Sequence, residues 1–129
     1  MDSLDYRCNV YLYEKSEQEN WHQINCTSGY LGKNGTSKNK VEGDYCTPAG
    51  LYLIGFAFGT ESISTKMEYH LINKDCYWVD DSNSSFYNQW IESNEISWDS
   101  AEHMIDYPQS YHYGAVINYN MDPVTPNKG

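Results

Sequence analysis

Four cysteines and four histidines are the side chains whose types could run nucleophilic or metal chemistry, and their spacing narrows what that chemistry would be. Cys8, Cys26, Cys46 and Cys76 are scattered with no C-x-x-C pair, so neither a zinc site nor a thioredoxin-type motif is expected. Acyl transfer through a thiol needs a nearby base and donors aimed at the oxyanion. Cys46 precedes Thr47-Pro48; the proline fixes a turn and no glycine-built oxyanion pocket adjoins, so Cys46 reads as a turn thiol. Cys8 at a strand start, Cys26 after a strand end and Cys76 in a polar turn read as structural. Four cysteines allow three disulfide connectivities, and all three stay open.

His22 and His70 fall on expected strands among polar neighbours and read as surface residues. His112 alternates with a tyrosine face and points the other way. His103, within Ser100-Ala101-Glu102-His103, reads as a helix residue that bonds to a backbone carbonyl. No two histidines stand at H-x-x-x-H spacing, so no metal ion is expected, and no cofactor either. Asp80-Asp81 could share a proton, but beside Ser82-Asn83 the pair reads as a turn. Phosphate-cradling loops and the G-x-S-x-G elbow are missing from the sequence.

The elements that must position these groups read as strands. Asn9-Val10-Tyr11-Leu12-Tyr13 alternates and predicts a strand, followed by a hairpin loop over 14–20 and a second strand over 21–25. Residues 29–43, rich in Gly, Asn, Lys and Ser, predict a loop. Residues 51–58 predict a strand in which Gly55 marks a bulge or a close backbone approach. Short strands are expected over 67–72 and 77–79 around a turn at Asn73-Lys74-Asp75, with an irregular stretch over 80–98. One helix is expected at 99–107, capped by Asp99 with Glu102 as capping-box partner and closed by Pro108. Residues 111–119 alternate again, with Tyr111, Tyr113, Ala115, Ile117 and Tyr119 on one face, and 120–129 read as a loop. The sum is one mainly-β domain over 1–129 with one short helix.

Composition narrows the function classes. Against 18 Asp and Glu stand 8 Lys and Arg, a net charge of −10, which argues against nucleic acid and against an anionic membrane surface. No apolar run approaches the roughly 20 residues that span a bilayer. Met1-Asp2-Ser3-Leu4-Asp5 shows no signal-peptide pattern, so a leader, if there is one, is expected upstream. The 13 Tyr and 4 Trp suit half-buried pleated surfaces and equally the walls of a sugar- or peptide-binding groove.

Certain short motifs add to this by their order. Glu42-Gly43-Asp44-Tyr45-Cys46-Thr47-Pro48-Ala49-Gly50, then Trp78-Val79-Asp80-Asp81-Ser82-Asn83-Ser84, Phe86-Tyr87-Asn88-Gln89-Trp90, Ser100-Ala101-Glu102-His103 and Tyr113-Gly114-Ala115-Val116-Ile117-Asn118-Tyr119-Asn120 follow one another along the chain. In that order and spacing they resemble the L,D-transpeptidase (YkuD-like) catalytic domain, which cross-links peptidoglycan, over about residues 10–129. The resemblance implies a β-sandwich-like domain, incomplete at its C-terminus here: the family's strand bearing a His and its Ser/Thr-x-Gly-Cys turn come later than Gly129.

It further implies thioester chemistry on tetrapeptide stems, an extracytoplasmic or cell-wall location, and peptidoglycan peptide stems as partners. His103, Tyr119 and Asn120 are its substrate-side candidates, with no catalytic residue in these 129. On this reading the chain is expected to be an inactive fragment, or one piece of a split domain, whose open strand edge invites self-association. The alternatives are a non-catalytic aromatic-rich β module that binds cell-wall glycan or peptide, and an interaction protein whose edge recruits a partner strand.

Overall fold

A computed structural model describes residues 6–18 and 20–129. The segment read for a leader, and Glu19 of the first loop, lie outside the described residues. Backbone contacts divide the chain into two compact units, residues 1–40 with 44–49 and residues 41–43 with 50–129.

The first unit is built on an antiparallel ribbon, β1 (Arg7–Glu14) with β2 (His22–Tyr30). β2 runs five residues beyond the expected strand, because Cys26 to Tyr30 continue the pairing with β1 down to Arg7. A register shift falls between Leu12 and Tyr13. Beyond the ribbon, Gly32 and Gly35 form a bridge. The short strands β3 (Thr36–Ser37) and β4 (Thr47–Pro48) then pair in parallel. The expected rigid turn at Thr47-Pro48 is therefore a strand contact, with Thr47 donating its N–H to Gly35 O (2.9 Å) and accepting from Gly32 N at its hydroxyl (2.8 Å).

The second unit holds two three-stranded sheets. In one, β5 (Ile54–Gly59) lies between antiparallel β10 (Tyr113–Ile117) and parallel β6 (Tyr69–Leu71). In the other, β7 (Cys76–Val79) lies between β8 (Gln89–Glu92) and β9 (Ala101–His103), both antiparallel to it. Phe58, Ile72, Cys76, Met104 and Val116 form one buried cluster, against which Phe56, Trp78, Trp90, Tyr111 and Met121 pack. Trp90 meets Phe58 at 5.4 Å and Phe56 at 5.7 Å between ring centroids, so side chains from both sheets share the core. The fold is mainly β.

Gly55 meets its expectation of close approach: a Cβ there would collide with the Asn118 carboxamide. The bulge is there as well: between the pairs Ala57–Ala115 and Ile54–Ile117, β5 sets Gly55 and Phe56 against the single residue Val116 of β10.

Three expectations are corrected. No helix forms over 99–107; residues 101–103 are β9, and only Met104–Asp106 turn as a 3₁₀ helix whose preceding residue, His103, makes no side-chain cap. Two turns of helix cannot repay nucleation, whereas Ala101, Glu102 and His103 gain a full ladder opposite Val79, Trp78 and Tyr77. The irregular stretch 80–98 contains β8, paired along Cys76–Val79. Finally, the strand expected over 111–119 spans only Tyr113–Ile117. Its core face is Gly114 and Val116, while Tyr113 and Ile117 are exposed.

Candidate functional site

Among the described residues, the motif segments that lie far apart in the second unit's sequence meet around Tyr87 and Asn88. Tyr87, 2% exposed, donates its hydroxyl to Glu42 Oε2 (2.5 Å) and accepts there from Gly129 N–H (2.8 Å). Glu42 N–H in turn donates to Asn127 O (3.1 Å). Burial first, then the Glu42 carboxylate, push the Tyr87 phenol up to about 12. Both effects act the same way, since a phenolate would be desolvated and would face an existing negative charge.

Asn88 is buried with φ +57°, a left-handed conformation that Asn tolerates better than most residues. Its carboxamide N–H₂ donates to the carbonyls of Tyr119 (3.2 Å) and Asn120 (2.8 Å), and its backbone N–H donates to Val79 O (2.8 Å). Tyr87 and Asn88 together thus fasten both ends of residues 119–129. Neither was singled out from sequence as a site residue. The one signal for them was their place inside Phe86-Tyr87-Asn88-Gln89-Trp90.

Asn120 adopts φ +52° and folds the tail upon itself. Its Nδ2 donates to Thr125 O (2.9 Å) and Gly129 O (3.3 Å), and its Oδ1 accepts from Thr125 N–H (2.7 Å). That side chain is spent on the tail. Tyr119 is half-buried, its ring set edge-on to Tyr52 at 5.5 Å.

His103 belongs to a separate cluster. Its Nε2 lies 2.8 Å from Lys74 O and its Nδ1 lies 3.0 Å from Asp106 Oδ2. The ring stacks on Tyr77 at 4.6 Å and 14°, and Tyr77 leads on to Trp98 (5.3 Å) and Phe86 (6.1 Å from Trp98). The Lys74 carbonyl, ahead of Asp106, raises the His103 pKa above its ordinary value. None of its hydrogen bonds or ring contacts reaches Tyr119 or Asn120, so the three substrate-side candidates do not form one constellation.

The cysteines do not assemble a thiol–base pair. Cys76 is fully buried and accepts from Asn73 N–H (3.4 Å), and burial pushes its thiol up. Cys46 Sγ lies 3.6 Å from the carbonyls of Asn34 and Asp44. Cys8 sits opposite Gly29 and Cys26 opposite Tyr11, an odd offset that puts the two on opposite faces of the ribbon. No hydrogen bond joins a cysteine to a histidine among the described residues.

His70 departs from its surface reading: it is half-buried, with its ring 4.4 Å from Phe56 and 5.6 Å from Trp90. Glu68 Oε1 is 3.0 Å from its Nε2, and Glu92 Oε1 is 3.7 Å from its Nδ1. His22 lies beside Glu14 (3.6 Å), and exposed His112 bonds Thr60 Oγ1 (3.0 Å). Asp81 makes the expected turn, accepting from Asn83 N–H (2.9 Å) and Asp99 N–H (3.0 Å), and these two bonds lower its pKa. Asp80 Oδ1 is buried without a hydrogen-bond partner. Among the described residues no three His, Cys, Asp or Glu side chains converge as a metal site would need.

No family model, curated protein or solved structure matches this chain.

Proposed function

We propose that this chain is the supporting part of an L,D-transpeptidase-like acyl-transfer domain of β-sandwich type, working on peptidoglycan tetrapeptide stems outside the membrane. The observation that carries the reading is the ordered motif set, three of whose segments, at Glu42, Tyr87-Asn88 and Tyr119-Asn120, are hydrogen-bonded to one another or to the tail that follows. In the proposed reaction a thiolate attacks the amide before the terminal D-Ala, D-Ala leaves as a thioester forms, and a side-chain amine of a second stem resolves it. A His takes the thiol proton and returns it to the leaving amine. That thiol and that His are not among these 129 residues; Tyr119, half-buried beside the fastened tail, remains the substrate-side candidate.

The test is the reading frame past Gly129 together with an assay of the protein it encodes. An apolar strand ending in His and a Ser/Thr-x-Gly-Cys turn are expected, with D-Ala release and a thioester adduct on incubation with tetrapeptide stems. The 129-residue chain should give neither product. Turnover by that chain, abolished by Cys46→Ala, sinks the proposal, and so does a frame that closes without the two motifs.

The second reading is a non-catalytic module for cell-wall glycan or peptide, favoured by the ring series Phe86, Trp98, Tyr77 and His103. Quenching of Trp98 fluorescence by soluble muropeptides, lost in Trp98→Ala, would support this reading. An unchanged spectrum at millimolar muropeptide would remove it.

A further inference from the structure

His103 is bonded through both ring nitrogens to groups that can only accept: the Lys74 carbonyl at 2.8 Å and the Asp106 carboxylate at 3.0 Å. A neutral imidazole carries one N–H; only the imidazolium has two. The arrangement is therefore satisfied in one protonation state. Losing a proton would leave a nitrogen lone pair facing either a carbonyl oxygen or a carboxylate.

We propose that His103 is a proton-operated clip, holding the end of β9 and the Met104–Asp106 turn onto the Asn73–Asp75 turn when charged and releasing one of them when neutral. The segments have other ties: β9 is laddered to β7, Met104 is buried in the core, and Ser93 N–H donates to Asp75 O (2.9 Å); the clip adds the side-chain link from β9 to the Lys74 carbonyl and to Asp106. The Asn73–Asp75 turn is held internally by Asp75 N–H donating to Asn73 Oδ1 (2.8 Å) and Cys76 N–H donating to Asn73 O (3.2 Å). It also walls a surface cleft of about 510 Å³ with Glu92, Ser93 and Asn94, so the clip links β9 to one side of that cleft.

The groups that face the imidazole favour its charged form. From its own turn comes Asp106; from the opposite turn come the Lys74 carbonyl and the Asp75 carboxylate. The Lys74 ammonium is bonded to both Asp75 oxygens (2.9 and 3.0 Å). From β7 comes the face of Tyr77. On the same strand Glu102 points to the other side, where it accepts from the Tyr111 hydroxyl. Because the folded-state pKa is raised, the clip's contribution is complete below the unfolded value of about 6.5 and fades as pH climbs through the higher folded value.

Nitrogen-detected NMR of the ¹⁵N-histidine-labelled chain between pH 5 and 9 tests this. Both His103 nitrogens should show imidazolium shifts at pH 6, with a midpoint above about 6.5. Asp106→Asn should lower that midpoint. Thermal unfolding should lose stability from pH 6 to 8 in the unaltered chain and lose less in His103→Gln. A midpoint at or below the ordinary value, or one nitrogen unprotonated throughout, overturns the clip. So do melting profiles that run parallel. Should His103→Gln fail to fold, the Asp106→Asn midpoint decides the matter, because that variant keeps the imidazole: an unmoved midpoint counts against the clip.

Discussion

Tyr87 places a phenol where its proton matters to the fold, since the hydroxyl gives a hydrogen bond to a carboxylate and takes one from a backbone amide. Tyr87→Phe keeps the ring in its buried site and removes both bonds. A bond to a charged group contributes about 1.5–3 kcal/mol, so the variant should be destabilised by about 2 kcal/mol in urea unfolding. Faster amide exchange over residues 127–129 should accompany it. The raised phenol pKa fixes the direction of the pH dependence. The folded state keeps a proton that the unfolded chain releases near pH 10, so stability should fall between about 10 and 12, the value to which Tyr87 is pushed. Tyr87→Phe should lack that component of the alkaline transition, and an identical transition in both proteins would discount the bond.

Asn88 separates backbone from side chain at a single position. Asn88→Gly keeps the left-handed conformation and loses the two carboxamide bonds; Asn88→Ala loses the bonds and adds strain of about 1–2 kcal/mol. Alanine should therefore be the more damaging replacement in the same urea assay. Equal losses would mean that the +57° backbone carries no energetic weight here.

Elements were legible where pattern and pairing agreed. The strands expected over 9–13, 51–58 and 77–79 from alternation and apolar runs form as Arg7–Glu14, Ile54–Gly59 and Cys76–Val79, because each has a neighbour whose register that pattern satisfies. The helix at 99–107 failed for the converse reason: Asp99 and Glu102 form a good local cap signal, but β9 gains a ladder on β7 that no local signal announces. Register was the other blind spot. The alternation of β10 did not say which face is buried; Gly114 is on the core face, where it lets Phe58 pack. A Cβ at Gly114 would fall 2.5 Å from Phe58 Cε2, so Gly114→Ala should destabilise the second unit by about 1–3 kcal/mol through overpacking. Near-UV circular dichroism should show the displaced aromatic core, and an unchanged melting temperature would contradict the packing argument. The site was less legible than the fold. His103 was picked out, but its partners Lys74 and Asp106 sit 29 and 3 residues away, and only the sheet brings the first of them close.

At the scale of the whole chain, charge is distributed unevenly. Residues 41–43 and 50–129 contain twelve Asp and Glu against three Lys, a net of −9, so nearly all of the chain's −10 belongs to the second unit. One of those lysines, Lys74, is paired with its own neighbour Asp75, which leaves little cation to offset the rest. A compact body with that excess is destabilised by self-repulsion, and salt screens it over about 10 Å at 0.1 M ionic strength. The melting temperature of the chain should therefore rise as NaCl goes from about 10 to 150 mM at pH 8, where His103 carries less positive charge than at pH 6. The clip predicts a smaller salt response at pH 6, because the Asp106–His103 pair is formed there and screening weakens it. A salt response of equal size at both values would leave the repulsion argument standing and count against a charged His103. A flat response at pH 8 would show that the carboxylates are too dispersed to strain the fold.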